Sequence, residues 1–241
     1  MTAPHRYLLA LAAAAPALLG VAPAFAASST ALANFEGVTV RTDGTASVSF
    51  TGVELLEAFG VTTGGVADPL NDGVTFSGAL SPDGEALATN GGRNGASSFA
   101  TASGFALSNA FTFLDAEMLL SGTGNVHLDI AYSLAVDTFD NLASAFAIAG
   151  LNVSTSFAAD ALELTAAGAP GLGEGDALSG LLTLSFFVDV DPLTAAFSDT
   201  LFIHTYASAQ AAPVPVPAAV WLFGSALAGV AALRRRVVAT A

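Results

Sequence analysis

Residues 126–137 read VHLDIAYSLAVD, and this stretch decides the fold. Val126, Leu128, Ile130, Tyr132, Leu134 and Val136 alternate with His127, Asp129, Ala131, Ser133, Ala135 and Asp137. A period of two places one set on each side of a strand, so the pattern describes a strand with one buried face. The pattern recurs elsewhere. Leu182, Leu184, Phe186, Val188 and Val190 oppose Thr183, Ser185 and Asp189, with Phe187 an apolar exception on the outer side. Phe202, His204 and Tyr206 alternate with Leu201, Ile203 and Thr205, a strand apolar on both sides and expected at the centre of a sheet. Residues 99–113 and 145–157 read as strand regions of small residues punctuated by Phe, and 46–50 and 74–77 as shorter strands.

Turn chemistry separates these runs. Thr42-Asp43-Gly44-Thr45 carries the Asp-Gly pair suited to the positive φ angles of a hairpin turn. Asn71-Asp72-Gly73, Ser81-Pro82-Asp83-Gly84 and Ser121-Gly122-Thr123-Gly124-Asn125 read as further turns. Residues 89–97 read as a mobile polar loop and 167–176 as a longer one, while 54–59 (ELLEAF) and 160–166 suggest short helices. Many short strands with frequent turns predict an all-β body, an antiparallel β-sandwich of jelly-roll or immunoglobulin-like type. No repeat period supports a solenoid, and no series of amphipathic helices supports an α/β fold. The high alanine content runs against this expectation, since alanine favours helix.

Charge narrows the function classes. All twenty acids lie in the body, residues 27–211, against Arg41 and Arg93, a formal 2 − 20 = −18, and lysine is absent. Such a surface repels nucleic acid, which excludes a nucleic-acid-binding role, and attracts divalent cations or cationic partners. The same acidity also keeps a secreted protein dispersed without any ligand. Cysteine is absent, so no disulfide stabilises the body.

Motifs for chemistry are sparse. No nucleophile elbow, phosphate-binding loop or zinc-binding helix appears. His127 and Asp129 share the polar side of one strand, an arrangement that orients a base or a metal ligand and equally describes a solvated face. His204, in an apolar strand, reads as a hydrogen-bonded core residue. Oxygen ligands cluster in Asp137-Thr138-Phe139-Asp140-Asn141 and in Asp189-Val190-Asp191-Pro192. Calcium accepts such carboxylates, and Asp at strand ends also serves turns. No other cofactor is indicated. A carboxylate pair for polysaccharide hydrolysis is open to any chain with so many acids. The body lacks tryptophan, leaving Tyr132, Tyr206 and Phe187 as platforms for sugar stacking.

The two ends carry an address. Arg6 precedes an apolar run over 8–21, and Ala24-Phe25-Ala26 fits the small-x-small rule, so 1–26 reads as a signal peptide cut after Ala26. Residues 212–241 end the chain with Pro213, Pro215 and Pro217 alternating with valines, which forces extended backbone. Residues 218–233 are uncharged and would form a short transmembrane helix of about 24 Å at ~1.5 Å per residue. Trp221 suits the membrane interface, and Arg234, Arg235 and Arg236 form a cytoplasmic stop.

The arrangement of proline motif, apolar helix with Trp-Leu-Phe-Gly-Ser, and terminal arginines resembles the PEP-CTERM protein-sorting tail of Gram-negative bacteria that make exopolysaccharide. Pro215-Val216-Pro217 stands where the family motif has Pro-Glu-Pro. The resemblance covers about residues 213–236 and implies an exosortase-type membrane protease as processing partner, with exopolysaccharide in the setting. The expectation is an exported protein, held briefly at the inner membrane and then placed at the cell surface, outer envelope or extracellular matrix. Its expected role is structural or adhesive and non-enzymatic. The alternatives are a calcium- or carbohydrate-binding module and a polysaccharide hydrolase.

Overall fold

The computed structural model describes residues 27–139, 144–168, 174–191 and 196–212. In chain order the strands are β1 (Ser28–Thr42), β2 (Ser47–Thr62), β3 (Val66–Ala67), β4 (Phe76–Ser81), β5 (Gly84–Asn90), β6 (Ala96–Ser103), β7 (Ala106–Phe139), β8 (Ser144–Ser154), β9 (Ala159–Gly168), β10 (Glu174–Val190) and β11 (Phe197–Ala212). Every pairing is antiparallel, and the strands join into one large sheet. Among the described residues the only helical turn is a 3-10 turn at Gly92–Asn94.

β7 organises the sheet. It runs for 34 residues and belongs to both halves. Its first half pairs with β2 and β11, and β11 continues to β8 and β9. Its second half, which contains 126–137, pairs with β1 and β10, and β1 continues through β6, β5 and β4 to β3. The change occurs at Gly122 and Gly124, whose φ angles are +77° and +153°. A Cβ at Gly124 would run into the carbonyl oxygen of Asp43, and one at Gly122 into that of Thr45. Only glycine allows so close an approach. The Asp43 carboxylate ties the corner by accepting from the Asn125 backbone N–H at 2.6 Å and its side-chain amide at 2.9 Å.

Several expectations change here. Residues 121–125 are not a turn but the bend within β7. Thr42 to Thr45 is not a hairpin, since β1 and β2 enter different halves of the sheet. Both expected helices are strands. In β2, Leu56 and Ala58 turn inward while Leu55, Glu57 and Phe59 turn outward; in β9, Leu162, Leu164 and Ala166 turn inward. Pairing with β7 and β8 overrides the helical propensity of these short segments. Region 99–113 is split by a turn at Gly104, φ +62°. The loop expected over 89–97 is anchored, with the buried Asn90 amide donating to the backbone oxygens of Phe113 at 2.7 Å and Glu57 at 3.2 Å. The strands are longer than expected because Asp-Gly and Gly-x-Gly mark corners as well as chain reversals. The turn at 71–73 does form: Asp72 accepts from the N–H groups of Val74, Thr75 and Phe76 at 2.8 Å each.

One main core draws on both halves. Leu114, Met118 and Leu120 from the first half of β7 meet Leu128, Ile130 and Leu134 from the second, with Leu201, Ile203, Leu184 and Phe186. Alanine fills the remainder: Ala31, Ala33, Ala100, Ala147, Ala149, Ala207 and Ala209 are fully buried or nearly so. Short side chains bring facing strands together, so that Ser98 Oγ on β6 reaches across to the backbone oxygen of Thr205 on β11 at 3.1 Å. Thr205 Oγ1 continues the chain of hydroxyls to Thr112 Oγ1 at 2.7 Å. All three residues are buried, so this hydrogen bonding fixes how β6, β7 and β11 stack. The alanine content therefore reports close packing between strands rather than helix.

Candidate ligand-binding face

β11 lies between β7 and β8, as expected for a central strand. Its second apolar side is not buried, however. Leu201, Ile203 and Thr205 enter the core, while Phe202, His204 and Tyr206 point to the outside of the sheet. The same split in β7 sends Leu114 and Ala116 inward and Phe111, Phe113 and Asp115 outward.

Strand register assembles these residues into rows. Phe59, Phe111 and Tyr206 form one row across β2, β7 and β11; Glu57, Phe113 and His204 form the next; Leu55, Asp115 and Phe202 the third. Phe59 and Phe111 stack at 4.8 Å between centroids, and Phe113 and His204 at 4.2 Å. These separations are close to the ~4.8 Å between neighbouring strands, so the stacked rings stand upright and turn their edges outward. Phe202 has no ring partner among the described residues and is 46% exposed, while Phe59 is 47% and Phe113 39% exposed.

The face is held from behind and from the side. Thr112 and Thr205, the core hydroxyls, lie in sequence between the outward aromatics of β7 and β11. The Tyr206 ring covers Gly150 on β8, where any Cβ would collide with it. Its hydroxyl donates to Glu163 on β9 at 2.5 Å. Burial, followed by this carboxylate, raises the phenol to about 12. His204 Nε2 is buried with no hydrogen-bond partner among the described residues, and desolvation lowers the affinity of the stacked imidazole for a proton. The expectation of a hydrogen-bonded core histidine is thus corrected: His204 belongs to the outer aromatic cluster.

Carboxylates border the rings. Glu57 is exposed and Asp115 half-buried. They are diagonal neighbours on adjacent strands, about 7–8 Å apart by sheet geometry. Burial and then the Glu57 charge raise the Asp115 carboxyl above its ordinary value. Neither described arginine offsets these charges. Arg41 pairs with Asp129 on the other half of the sheet, and Arg93 pairs with Glu54 and lies 4.1 Å over the Phe50 ring. The face offers apolar ring surface for stacking and carboxylates that accept hydrogen bonds from hydroxyl or ammonium groups.

The residues singled out by sequence fall elsewhere. Asp129 lies outside the core yet is only 5% exposed, because Arg41 clasps it and Thr183 Oγ1 donates to it at 2.6 Å. Those two hydrogen bonds hold its carboxyl down to about 2. His127 Nδ1 bonds Ser185 Oγ at 2.7 Å. The pair therefore sits within a satisfied polar network rather than an open metal site. Asp137 lies opposite Gly175 and Asp189 opposite Thr123, at opposite ends of the β7–β10 pairing. They cannot share an ion. Asp189 accepts from Thr123 Oγ1 at 2.9 Å, and Asp191 follows β10 at the same end. Among the described residues no three His, Asp or Glu side chains are grouped to hold a metal. Tyr206 joins the aromatic face, whereas Tyr132 is half-buried and Phe187 exposed on the other half of the sheet. Ala24, Ala26, Asp140, Pro213, Pro215, Val216, Pro217, Trp221, Arg234, Arg235 and Arg236 lie outside the described residues.

Sequence reasoning missed Glu57, Phe59, Phe111, Phe113 and Asp115 as a group. The outward set Leu55, Glu57, Phe59 and Val61 is mixed in polarity, so 55–61 carried no clear period-two signal and read as a helix. No family model matches the chain, and neither a curated protein nor a solved structure does.

Proposed function

We propose that this is an exported, non-enzymatic protein of the cell surface or extracellular matrix that adheres to polysaccharide through the outer face of β2, β7 and β11. The observation that carries the reading is the cluster of outward aromatic rings bordered by carboxylates, on strands whose opposite sides pack toward the core. Rings supply apolar contact to sugar C–H surfaces, and carboxylates orient hydroxyls. The finer fold reading is a β-sandwich of jelly-roll or immunoglobulin-like type, supported by the two halves of the sheet closing on one core. The signal peptide and the tail resembling PEP-CTERM support export, a membrane-held intermediate and processing by an exosortase-type protease.

Affinity electrophoresis of the full chain in mild detergent, through gels containing soluble polysaccharides, tests the binding. Retardation by at least one glycan, weakened about tenfold by Phe113→Ala, is expected, equivalent to ~1.4 kcal/mol. Unretarded migration through every gel would remove the reading. Intact-mass analysis of the processed protein tests the sorting: a mature chain beginning at Ala27, ending near Pro217 and lacking Trp221 is expected.

A second reading has one observation in its favour. The Glu57–Asp115 pair, with Asp115 shifted upward, resembles a general-acid arrangement for glycoside hydrolysis. Glu57 is exposed and Asp115 half-buried on a strand face lined by aromatic rings, a setting that suits binding. Release of reducing ends from a bound glycan, lost in Asp115→Asn, would reverse that preference.

A further inference from the structure

The geometry points to the charge of the occupant: the aromatic face is built for a glycan that carries free amino groups. This rests on the proposed polysaccharide binding and narrows its ligand class.

Three observations on the face converge. Asp115 lies between Leu55 and Phe202 in its row, with Glu57 at the adjacent diagonal position. Two carboxylates are thus set near each other with no cation among the described residues between them. The mutual repulsion is a standing cost that a bound ammonium would turn into attraction. Phe202 stands next to Asp115, stacks on no other ring among the described residues and is 46% exposed, so ring surface lies beside the carboxylate for a cation to contact. Glu163 adds a further carboxylate on the far side of Tyr206, placing negative charge on both sides of the aromatic rows.

The rest of the body points the same way. Arg41 and Arg93 are both engaged by acids, at Asp129 and Glu54, so neither is available to a carboxylated or sulfated sugar. An anionic chain would approach a body of formal charge −18 whose two arginines are already paired with acids. A neutral chain would use the rings and leave the Glu57–Asp115 repulsion in place. A chain of amino sugars uses both, with its rings on the apolar surface and its ammonium groups on the acids. A simple polycation would satisfy the acids but not the rings. The probe set must therefore separate sugar from charge.

The experiment is calorimetric titration of the full chain in mild detergent at near-physiological salt. The probes are a glucosamine oligomer, the same oligomer fully N-acetylated, an oligouronate and oligolysine. The glucosamine oligomer is expected to bind about tenfold more tightly than its N-acetylated form, with oligouronate and oligolysine weaker still. The double variant Glu57→Gln with Asp115→Asn should erase that preference, bringing the two glucosamine-derived oligomers to the same affinity. Asp83→Asn with Glu85→Gln, which removes equal charge elsewhere, should preserve it.

Equal or tighter binding of the N-acetylated oligomer would overturn the inference and leave polysaccharide binding standing. So would a preference that survives the Glu57/Asp115 variant. Oligolysine binding as tightly as glucosamine, with the same dependence on the acids, would reduce the site to a polycation patch and overturn the inference. Failure of every glycan to bind would overturn both readings.

Discussion

The two halves of β7 have the same inner side and opposite outer sides. Inward, both contribute large aliphatic residues to one core. Outward, the second half presents Asp129, held by Arg41 and Thr183, and His127, held by Ser185. The first half presents Phe111, Phe113 and Asp115, without a cation among their neighbours in the rows. One strand thus carries a polar surface whose Asp129 and His127 are satisfied by the protein itself and an apolar, acidic surface on which Thr51 and Ser198 hold Glu117 while Asp115 has no hydrogen-bond donor among the described residues. The difference separates a face that finishes the fold from a face left available to something else. A polar residue in a sheet is informative about function when its partners are missing, and that information comes from the register.

The comparison can be broken most severely at the bend that joins the halves. Gly124→Val forces a side chain against the Asp43 carbonyl at a positive φ, and a cost on the order of 4 kcal/mol is expected. Urea unfolding should show either a large fall in midpoint or a chain that does not fold. Next in size is Gly150→Ala, which displaces the Tyr206 ring and its bond to Glu163. A loss of about 1–3 kcal/mol is expected, with a changed tyrosine signal in near-ultraviolet circular dichroism.

Asp129→Asn acts only on the satisfied half. It should destabilise by about 1–2 kcal/mol at neutral pH through the loss of a charge-assisted partner for Arg41 and Thr183. Because the folded carboxyl is held down to about 2 from an ordinary 3.8, its contribution is fully present above about pH 4. That contribution is lost as pH falls through about 2, so the variant should have a flatter acid limb. Glycan affinity should not change.

The smallest effect concerns His204. Its imidazole binds a proton less readily when folded than at the ordinary 6.5, because burial penalises the charge. Acidification through 6.5 therefore protonates the unfolded chain first, and stability declines as pH falls toward the folded value. His204→Phe should abolish that decline with little change at pH 8, read as the pH dependence of the melting temperature.

How much of this was legible in the sequence varies by residue. The alternation in 126–137 and in 182–190 located two strands and their buried sides, because a strand's period depends on its own residues. The outward orientation of Phe187 was equally legible. ELLEAF and 160–166 were misread because six or seven residues carry more helical propensity than strand pattern; ELLEAF pairs with β7 far along the chain, whereas 160–166 folds back on β8 through the turn at 155–158. Gly122 and Gly124 announced a break, but a glycine does not say whether the chain reverses or bends. The aromatic face was the least legible, since Phe59, Phe113, Phe202 and Tyr206 come together only through the register of three strands. Tyr206 was singled out for its chemistry, without the neighbours that give it a role.

On the proposed function, the first half of β7, and not the second, carries the binding face. The direct measurement is glycan affinity in two paired variants of the full chain. Phe113→Ala with Phe202→Ala removes exposed rings from the first half, and Leu181→Ala with Phe187→Ala removes comparably exposed apolar residues from the strand beside the second. The account predicts a loss of about tenfold or more in the first pair and none in the second. Equal loss in both, or loss confined to Leu181 and Phe187, would contradict it.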